Sequence, residues 1–224
     1  MIKAVMFDLD NTLIDFMRMK KGCCRAAVSA MKKAGLRIDR KKALKIMFDL
    51  YKEVGIEYKY IFQKFLRQTG KIDYRVLSAG IAAYRRAQIK YMKPYPAVKN
   101  TLKKLKKKGL RLAIVSDAPR LKAWTRLQEL GISKYFDAVI AFGDTNQRKP
   151  SKLPFKKALQ TLKVKPAETL MVGDNPKRDI RGAKRMGMKT CFARYGYSFI
   201  GRPIKGMDYT IDRISELGKV VEKS

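Results

Sequence analysis

The segment Val5-Met6-Phe7-Asp8-Leu9-Asp10-Asn11-Thr12 constrains this chain more than any other. Lys3 to Phe7 is a short run of the kind that forms a buried strand, and two aspartates follow at positions of the same parity. Side chains alternate along a strand, so Asp8 and Asp10 leave its C-terminal end on one side. Carboxylates that close repel each other, and a fold keeps both only where a cation, a shared proton or solvent compensates. A divalent metal is the economical compensation, and hard oxygen donors suit Mg²⁺. A strand ending in two solvated aspartates would read the same locally, so the rest of the chain has to decide.

Composition narrows the chemistry. The chain has no histidine, which excludes His-based triads, His-ligated zinc and imidazole proton transfer. Cys23 and Cys24 are adjacent and Cys191 is far away, a spacing that makes neither a metal site nor a disulfide framework. Any catalysis must therefore run on carboxylates, hydroxyls, lysine and metal. An apolar fraction of 46% over 224 residues suffices for an ordinary globular core with an inserted piece. No apolar stretch of about 18 residues occurs, and the N-terminus runs straight into the first strand, so neither membrane insertion nor a signal peptide is expected; the expected location is cytoplasmic. The net charge is +33, from 52 Lys and Arg against 19 Asp and Glu. Such a field gives non-specific affinity for phosphates and nucleic acid. The runs Lys103-Lys104 and Lys106-Lys107-Lys108 nevertheless read as the solvated side of a helix whose buried side is Leu102 and Leu105. Nothing in the sequence sets an oligomeric state.

After Thr12 the chain turns helical. Gly22 to Ala34 ends at Gly35, Asp39 is placed to cap a second helix with the stripe Ala43, Leu44, Met47, Phe48 and Tyr51, and Ile61, Phe62, Phe65 and Leu66 form a third stripe. Asp73 opens a fourth, with Val76, Leu77, Gly80, Ile81, Tyr84 and Ile89. Four such helices make a small bundle. Beyond Pro94 and Pro96 the pattern alternates: helix Ala97–Lys108, strand Leu110–Val115, helix to Leu130, strand Ala138–Phe142, helix Lys152–Leu162, strand Leu170–Val172, helix Lys177–Met186 and strand Lys189–Phe192. That alternation predicts an α/β fold with a doubly wound parallel sheet, whose sites lie at the C-terminal strand ends.

Polar residues stand at those ends in a fixed order. Asp8-x-Asp10-x-Thr12 follows the first strand and Ser116-Asp117 the second; Arg148-Lys149-Pro150 precedes a helix. The strongest segment is Leu170-Met171-Val172-Gly173-Asp174-Asn175-Pro176-Lys177-Arg178-Asp179, a strand, a tight turn and two more carboxylates. Taken in order, these four segments resemble the motifs of the haloacid dehalogenase (HAD) superfamily, with the helical bundle inserted between the first two as in its C1-capped branch. The resemblance spans nearly the whole chain and implies a Rossmann-like core of residues 1–16 and 94–224 with a helical cap of residues 17–93. It extends to archaeal proteins of the phosphoglycolate and glyceraldehyde-3-phosphate phosphatase kind.

By that resemblance, the chain is a Mg²⁺-dependent phosphatase acting on a small phosphate ester. Asp8 attacks phosphorus and forms an aspartyl-phosphate; Asp10 protonates the leaving oxygen and then activates water. Asp8, the Asp10 main-chain carbonyl and Asp174 hold Mg²⁺, and Asp179 orients the metal site or joins it. Ser116 and Lys149 hold the phosphoryl group, with Asn11 a further donor through its main chain. Phe16, Arg18 and Lys20 are candidates for substrate selection. Two departures stand out: Ser151-Lys152 replaces the acidic residue that often follows Lys-Pro, and Asp117 adds a carboxylate. Two other readings stay open, a phosphomutase of the same superfamily, which passes the phosphoryl group to a sugar rather than to water, and a basic nucleic-acid-binding protein that retains the fold.

Overall fold

Near-continuous apolar runs form strands covered on both faces. In the computed structural model, which describes residues 1–197 and 206–223, six such strands form one parallel sheet: β1 Ala4–Phe7, β2 Arg111–Val115, β3 Ala138–Ile140, β4 Thr169–Gly173, β5 Lys189–Ala193 and β6 Tyr209–Ile211. Every residue of β1 and β4 is buried, as expected for central parallel strands. The order is β3-β2-β1-β4-β5-β6, so the winding direction reverses between β1 and β4. Phe7 lies opposite Ile114 on one side and Val172 on the other. That register brings the residues after β1, β2 and β4 to one end of the sheet, at the reversal point where doubly wound sheets open a crevice.

The chain divides into two compact units, Met1–Asp15 with Lys93–Ser224, and Phe16–Met92. The second contains α1 Phe16–Lys33, α2 Arg40–Val54, α3 Ile61–Thr69 and α4 Tyr74–Tyr91. Its core includes Met31 of α1, Met47 of α2, Phe65 and Leu66 of α3 and Leu77 of α4. Asp39 caps α2 by accepting from Lys42 N, and Asp73 caps α4 by accepting from Arg75 N and Val76 N. The first helix begins earlier than its glycine suggested, at Phe16. Ile89, counted in the fourth stripe, is 79% exposed, because at about 3.6 residues per turn it falls roughly opposite the buried Ala87, off the face that Val76, Leu77, Gly80 and Ala87 share.

The first unit adds α5 Val98–Lys107, α6 Arg120–Glu129, α7 Phe142–Thr145, α8 Lys152–Leu162, α9 Arg181–Lys184 and α10 Leu217–Glu222 around the sheet. Ala4, Met6, Ala113, Val115, Phe155, Leu159 and Met171 form the core on one face. Two expectations change in detail. The strand expected to reach Phe142 stops at Ile140, and Phe142 opens α7. The helix expected over Lys177–Met186 is a wide π-helical turn, Pro176–Ile180, running into α9. Ser116 Oγ accepts from Ala118 N at 3.2 Å in the turn before α6, which starts at Arg120. No helix among the described residues is long and apolar enough to cross a membrane.

Candidate active site

The four segments converge at the C-terminal edge of the sheet because each follows a strand or enters a helix there. Asp8 continues β1 and donates its N–H to Val172 O at 2.9 Å, as one more rung of the ladder. Asp174 follows β4, and its N–H donates to Thr12 Oγ1 at 3.1 Å. Asp179 is brought back beside β4 by the wide turn, which explains why this segment is not a regular helix: its Oδ2 accepts from Asn175 N at 2.9 Å. That return depends on Gly173, where a Cβ would lie 2.4 Å from Asp179 Oδ2. Asp8, Asp174 and Asp179 are all buried, and each offers an oxygen within 4.8 Å of the others.

Lys149 compensates part of this charge. Its side chain is 1% exposed, and Nζ lies 2.5 Å from Asp8 Oδ1 and 2.7 Å from Asp179 Oδ1. The third bond of the ammonium goes to Val115 O at 2.7 Å. Burial alone pushes this ammonium down, but Asp179 and Asp8 outweigh it and hold Lys149 above the usual lysine range. Asp117 fixes the backbone behind it: Oδ1 accepts from Lys149 N at 2.9 Å and Oδ2 from Arg178 Nη1 at 3.2 Å. The extra carboxylate seen in the sequence is thus a tie between the second, third and fourth segments.

Lys149 touches the cluster and Arg178 acts on it through its field, and together they leave the three carboxylates short of positive charge. Burial, then Asp8 and Asp179, push the Asp174 carboxyl up to about 9. Burial also raises Asp179, against Lys149, to about 6. Asp174 Oδ2 is buried and has no hydrogen-bond partner among the described residues. An orphaned buried carboxylate oxygen in an all-oxygen cluster is what a hard divalent cation fits. Asp179 Oδ2 accepts from Asn175 N, and its Oδ1 lies 2.7 Å from Lys149 Nζ as an ion pair without a hydrogen bond. Asp8 has both oxygens engaged, Oδ1 by Lys149 Nζ and Oδ2 by Thr12 Oγ1 at 3.4 Å, so the buried oxygens of the cluster without a hydrogen bond among the described residues belong to Asp174 and Asp179.

Asp10 stands apart from this cluster. Its Oδ2 is 2.6 Å from Arg126 Nη1 on α6. Asn11 sits at φ 64° and donates its N–H to Ile14 O at 2.7 Å. Ser116 donates its N–H to Ile140 O at 2.9 Å, and it directly follows Val115, the residue whose carbonyl binds Lys149. Phe16, Arg18 and Lys20 lie on α1. Lys20 is buried there, with Nζ 4.4 Å from the ring centre of Tyr51 and 5.4 Å from that of Tyr84.

Arg126, Tyr195 and Gly196 carry the site without having been read from the sequence. Tyr195 donates its hydroxyl to Thr12 O at 2.7 Å, and its ring meets Tyr95 edge-on at 4.9 Å. Gly196 passes so close to the first loop that a Cβ would lie 1.6 Å from Asn11 O. Neither residue belongs to a polar pattern. For Arg126 a signal existed: it is a charge between Ala123 and Leu127, on the inward stripe of a helix.

A sequence profile of the haloacid dehalogenase-like hydrolases matches residues 5–193. The chain belongs to that family. Its relatives in the family include a glyceraldehyde 3-phosphate phosphatase from Pyrococcus furiosus, 34% identical over 99% of this chain and 94% of the relative. A phosphoglycolate phosphatase from Aquifex aeolicus is 32% identical over 99% of this chain and 97% of the other. Among solved haloacid dehalogenase-like structures, a HAD phosphatase from Thermococcus onnurineus superposes with a TM-score of 0.70 at 27% identity, covering 98% of both chains.

Proposed function

We propose that this protein is a Mg²⁺-dependent phosphatase that hydrolyses a small phosphorylated metabolite through an aspartyl-phosphate on Asp8. The observation that carries this reading is the buried trio Asp8, Asp174 and Asp179 with Lys149 bridging Asp8 and Asp179. A fold does not hold three carboxylates under one ammonium for stability alone, since each buried charge is costly unless paired. Relatives along almost the full chain are named glyceraldehyde 3-phosphate and phosphoglycolate phosphatases, which supports a small phosphate monoester as substrate.

The residues divide the work. Asp8 is the nucleophile: its carboxylate oxygen bonds to phosphorus as the bond to the ester oxygen breaks. Asp10 gives the proton to that leaving oxygen, then takes one from the water that releases phosphate from Asp8. Lys149 lies against Asp8 Oδ1, so the incoming phosphoryl oxygens meet a cation beside the carboxylate that attacks them. Ser116 holds the phosphoryl group from the end of β2, and Asn11 lines the turn beyond Asp10. Mg²⁺ would be held by Asp8 and Asp174, with the Asp10 main-chain carbonyl and with Asp179 orienting the set; bound there, it offsets negative charge on the phosphoryl group and Asp8. The unit Phe16–Met92, inserted in the connection between β1 and β2, is the cap that selects the leaving group. The net charge of +33 adds non-specific attraction for polyanions and is not the function.

Hydrolysis of p-nitrophenyl phosphate with Mg²⁺, with EDTA and with Asp8→Asn tests this, followed by glyceraldehyde 3-phosphate, phosphoglycolate and a sugar phosphate. Turnover that requires the metal and is lost in Asp8→Asn is expected. A folded, Mg²⁺-loaded protein that turns over none of these esters would sink the reading, and a sugar phosphate isomerised without release of phosphate would make the protein a mutase.

A further inference from the structure

Among the described residues, three basic side chains are buried: Lys20, Arg126 and Lys149. Lys149 serves the carboxylate cluster, and Lys20 lies against aromatic rings in the other unit. Arg126 needs its own account. It shares the inward stripe of α6 with Ala123 and Leu127, where an unpaired guanidinium would be strongly unfavourable. Its Nη1 donates to Asp10 Oδ2 at 2.6 Å, and the two side chains are 7% and 22% exposed. Short distance and burial make this a charge-assisted bond of the strong kind. It also joins two segments that the sheet sets side by side, since α6 follows β2 and Asp10 follows β1.

We propose that Arg126 is the positioning residue for Asp10 as proton donor and acceptor. The inference rests on the role given to Asp10 above. A group that must give a proton to one oxygen and take it from another needs a fixed orientation, because a misplacement of about 1 Å costs on the order of 100-fold in rate. Arg126 supplies it from a helix rather than from the loop itself. The guanidinium holds Oδ2, and the moving proton is carried on Oδ1. As the ester bond to phosphorus breaks, the proton passes from Asp10 Oδ1 to the leaving oxygen, and the carboxylate left behind stays paired with Arg126. When water attacks the phosphorus of the aspartyl-phosphate, its proton returns to Asp10 as the bond from phosphorus to Asp8 breaks. The competing account is that the pair merely ties α6 to the first loop.

Leaving groups separate the two accounts. The alkoxide of glycerol 3-phosphate has to be protonated as it departs, whereas p-nitrophenolate leaves as the anion. The specificity constant kcat/KM reports only the steps up to formation of the aspartyl-phosphate. In the Mg²⁺-loaded protein, Arg126→Gln is expected to lower kcat/KM for glycerol 3-phosphate on the order of 10- to 100-fold more than for p-nitrophenyl phosphate. In an Asp10→Asn background the same substitution should cost nothing further. Equal losses on the two esters, or losses that multiply with those of Asp10→Asn, overturn the proposal. Should Arg126→Gln not fold, Arg126→Lys keeps the buried charge but moves its donor; it is expected to harm the alkyl ester more, and equal effects again overturn the proposal. If Asp10→Asn itself treats both esters alike, the acid role of Asp10 fails and the proposal falls with it. If Asp10→Asn discriminates and the Arg126 variants do not, Asp10 keeps its role and only the assignment of Arg126 is lost.

Discussion

Without metal, Asp174 should give the protein a stability trend opposite to that of a salt-bridged surface carboxylate. Its side chain is buried, and burial together with Asp8 and Asp179 pushes its carboxyl from 3.8 up to about 9. Asp179 moves the same way, to about 6. An acid whose pKa is higher in the folded than in the unfolded state takes up a proton on folding at any pH between the two values. Stability is therefore greatest near or below the unfolded pKa and falls as pH rises towards the folded one. Each proton taken up gives a slope of about 1.4 kcal/mol per pH unit. Between about pH 5 and about pH 8, Asp174 alone then costs the metal-free protein up to about 4 kcal/mol, a fall in unfolding midpoint on the order of 10 °C for a chain of this size. A divalent cation reverses the effect by favouring the carboxylate, so the rise in midpoint on adding Mg²⁺ should grow with pH. Asp174→Asn has no proton to exchange, and should flatten the trend in EDTA and lose the Mg²⁺ increment. Thermal unfolding in EDTA and in Mg²⁺, at both pH values and for both proteins, measures all of this. A midpoint in EDTA that does not fall with pH, or that falls as steeply in Asp174→Asn, would refute the reasoning.

Two further substitutions probe the scaffold of the site. Lys149→Met removes the cation that bridges Asp8 and Asp179, and breaking a buried pair from one side should cost about 3–5 kcal/mol in EDTA. Mg²⁺ should recover part of that loss in denaturant unfolding while turnover stays at background; unchanged stability in EDTA would count against the pairing. Gly196→Ala places a Cβ 1.6 Å from the Asn11 carbonyl, a backbone clash that no rotamer relieves, and should cost about 1–3 kcal/mol together with most of the turnover. Wild-type stability and rate in that variant would show that the first loop is not held by Gly196.

The sheet was legible because each parallel strand announces itself locally. Val5 to Phe7, Leu112 to Val115 and Leu170 to Val172 are apolar runs too short for helices, each stopped by a polar residue. The last strand and helix were not read. Tyr209–Ile211 is a short run at the sheet edge with only Ile211 buried, so its place depends on pairing with β5 rather than on its own pattern. The wide turn Pro176–Ile180 reads as helix because Pro176 suits the first helical position and Gly182-Ala183-Lys184 continues the run. What overrides that reading is the tertiary demand that Asp179 return to Gly173 and Asn175, which a sequence window does not contain.

The same division runs through the site. Asp8, Asp10, Ser116, Lys149, Asp174 and Asp179 could be picked out because residues at strand ends and helix entries inherit their position from the element they adjoin. Residues that act through another residue have no such anchor. Asp117 is visible in the sequence as an extra carboxylate, but its bond to Lys149 spans 32 positions, and Arg126 reaches Asp10 across 116. Tyr195 reaches Thr12 across 183. In a chain with 52 basic residues, one more arginine carries no information by type. Its information lies in position, because a guanidinium on the buried stripe of α6 is tolerated only where a carboxylate meets it. Asking which charges fall on inward stripes, rather than which residue types recur, would have singled out Arg126 before any coordinates were known.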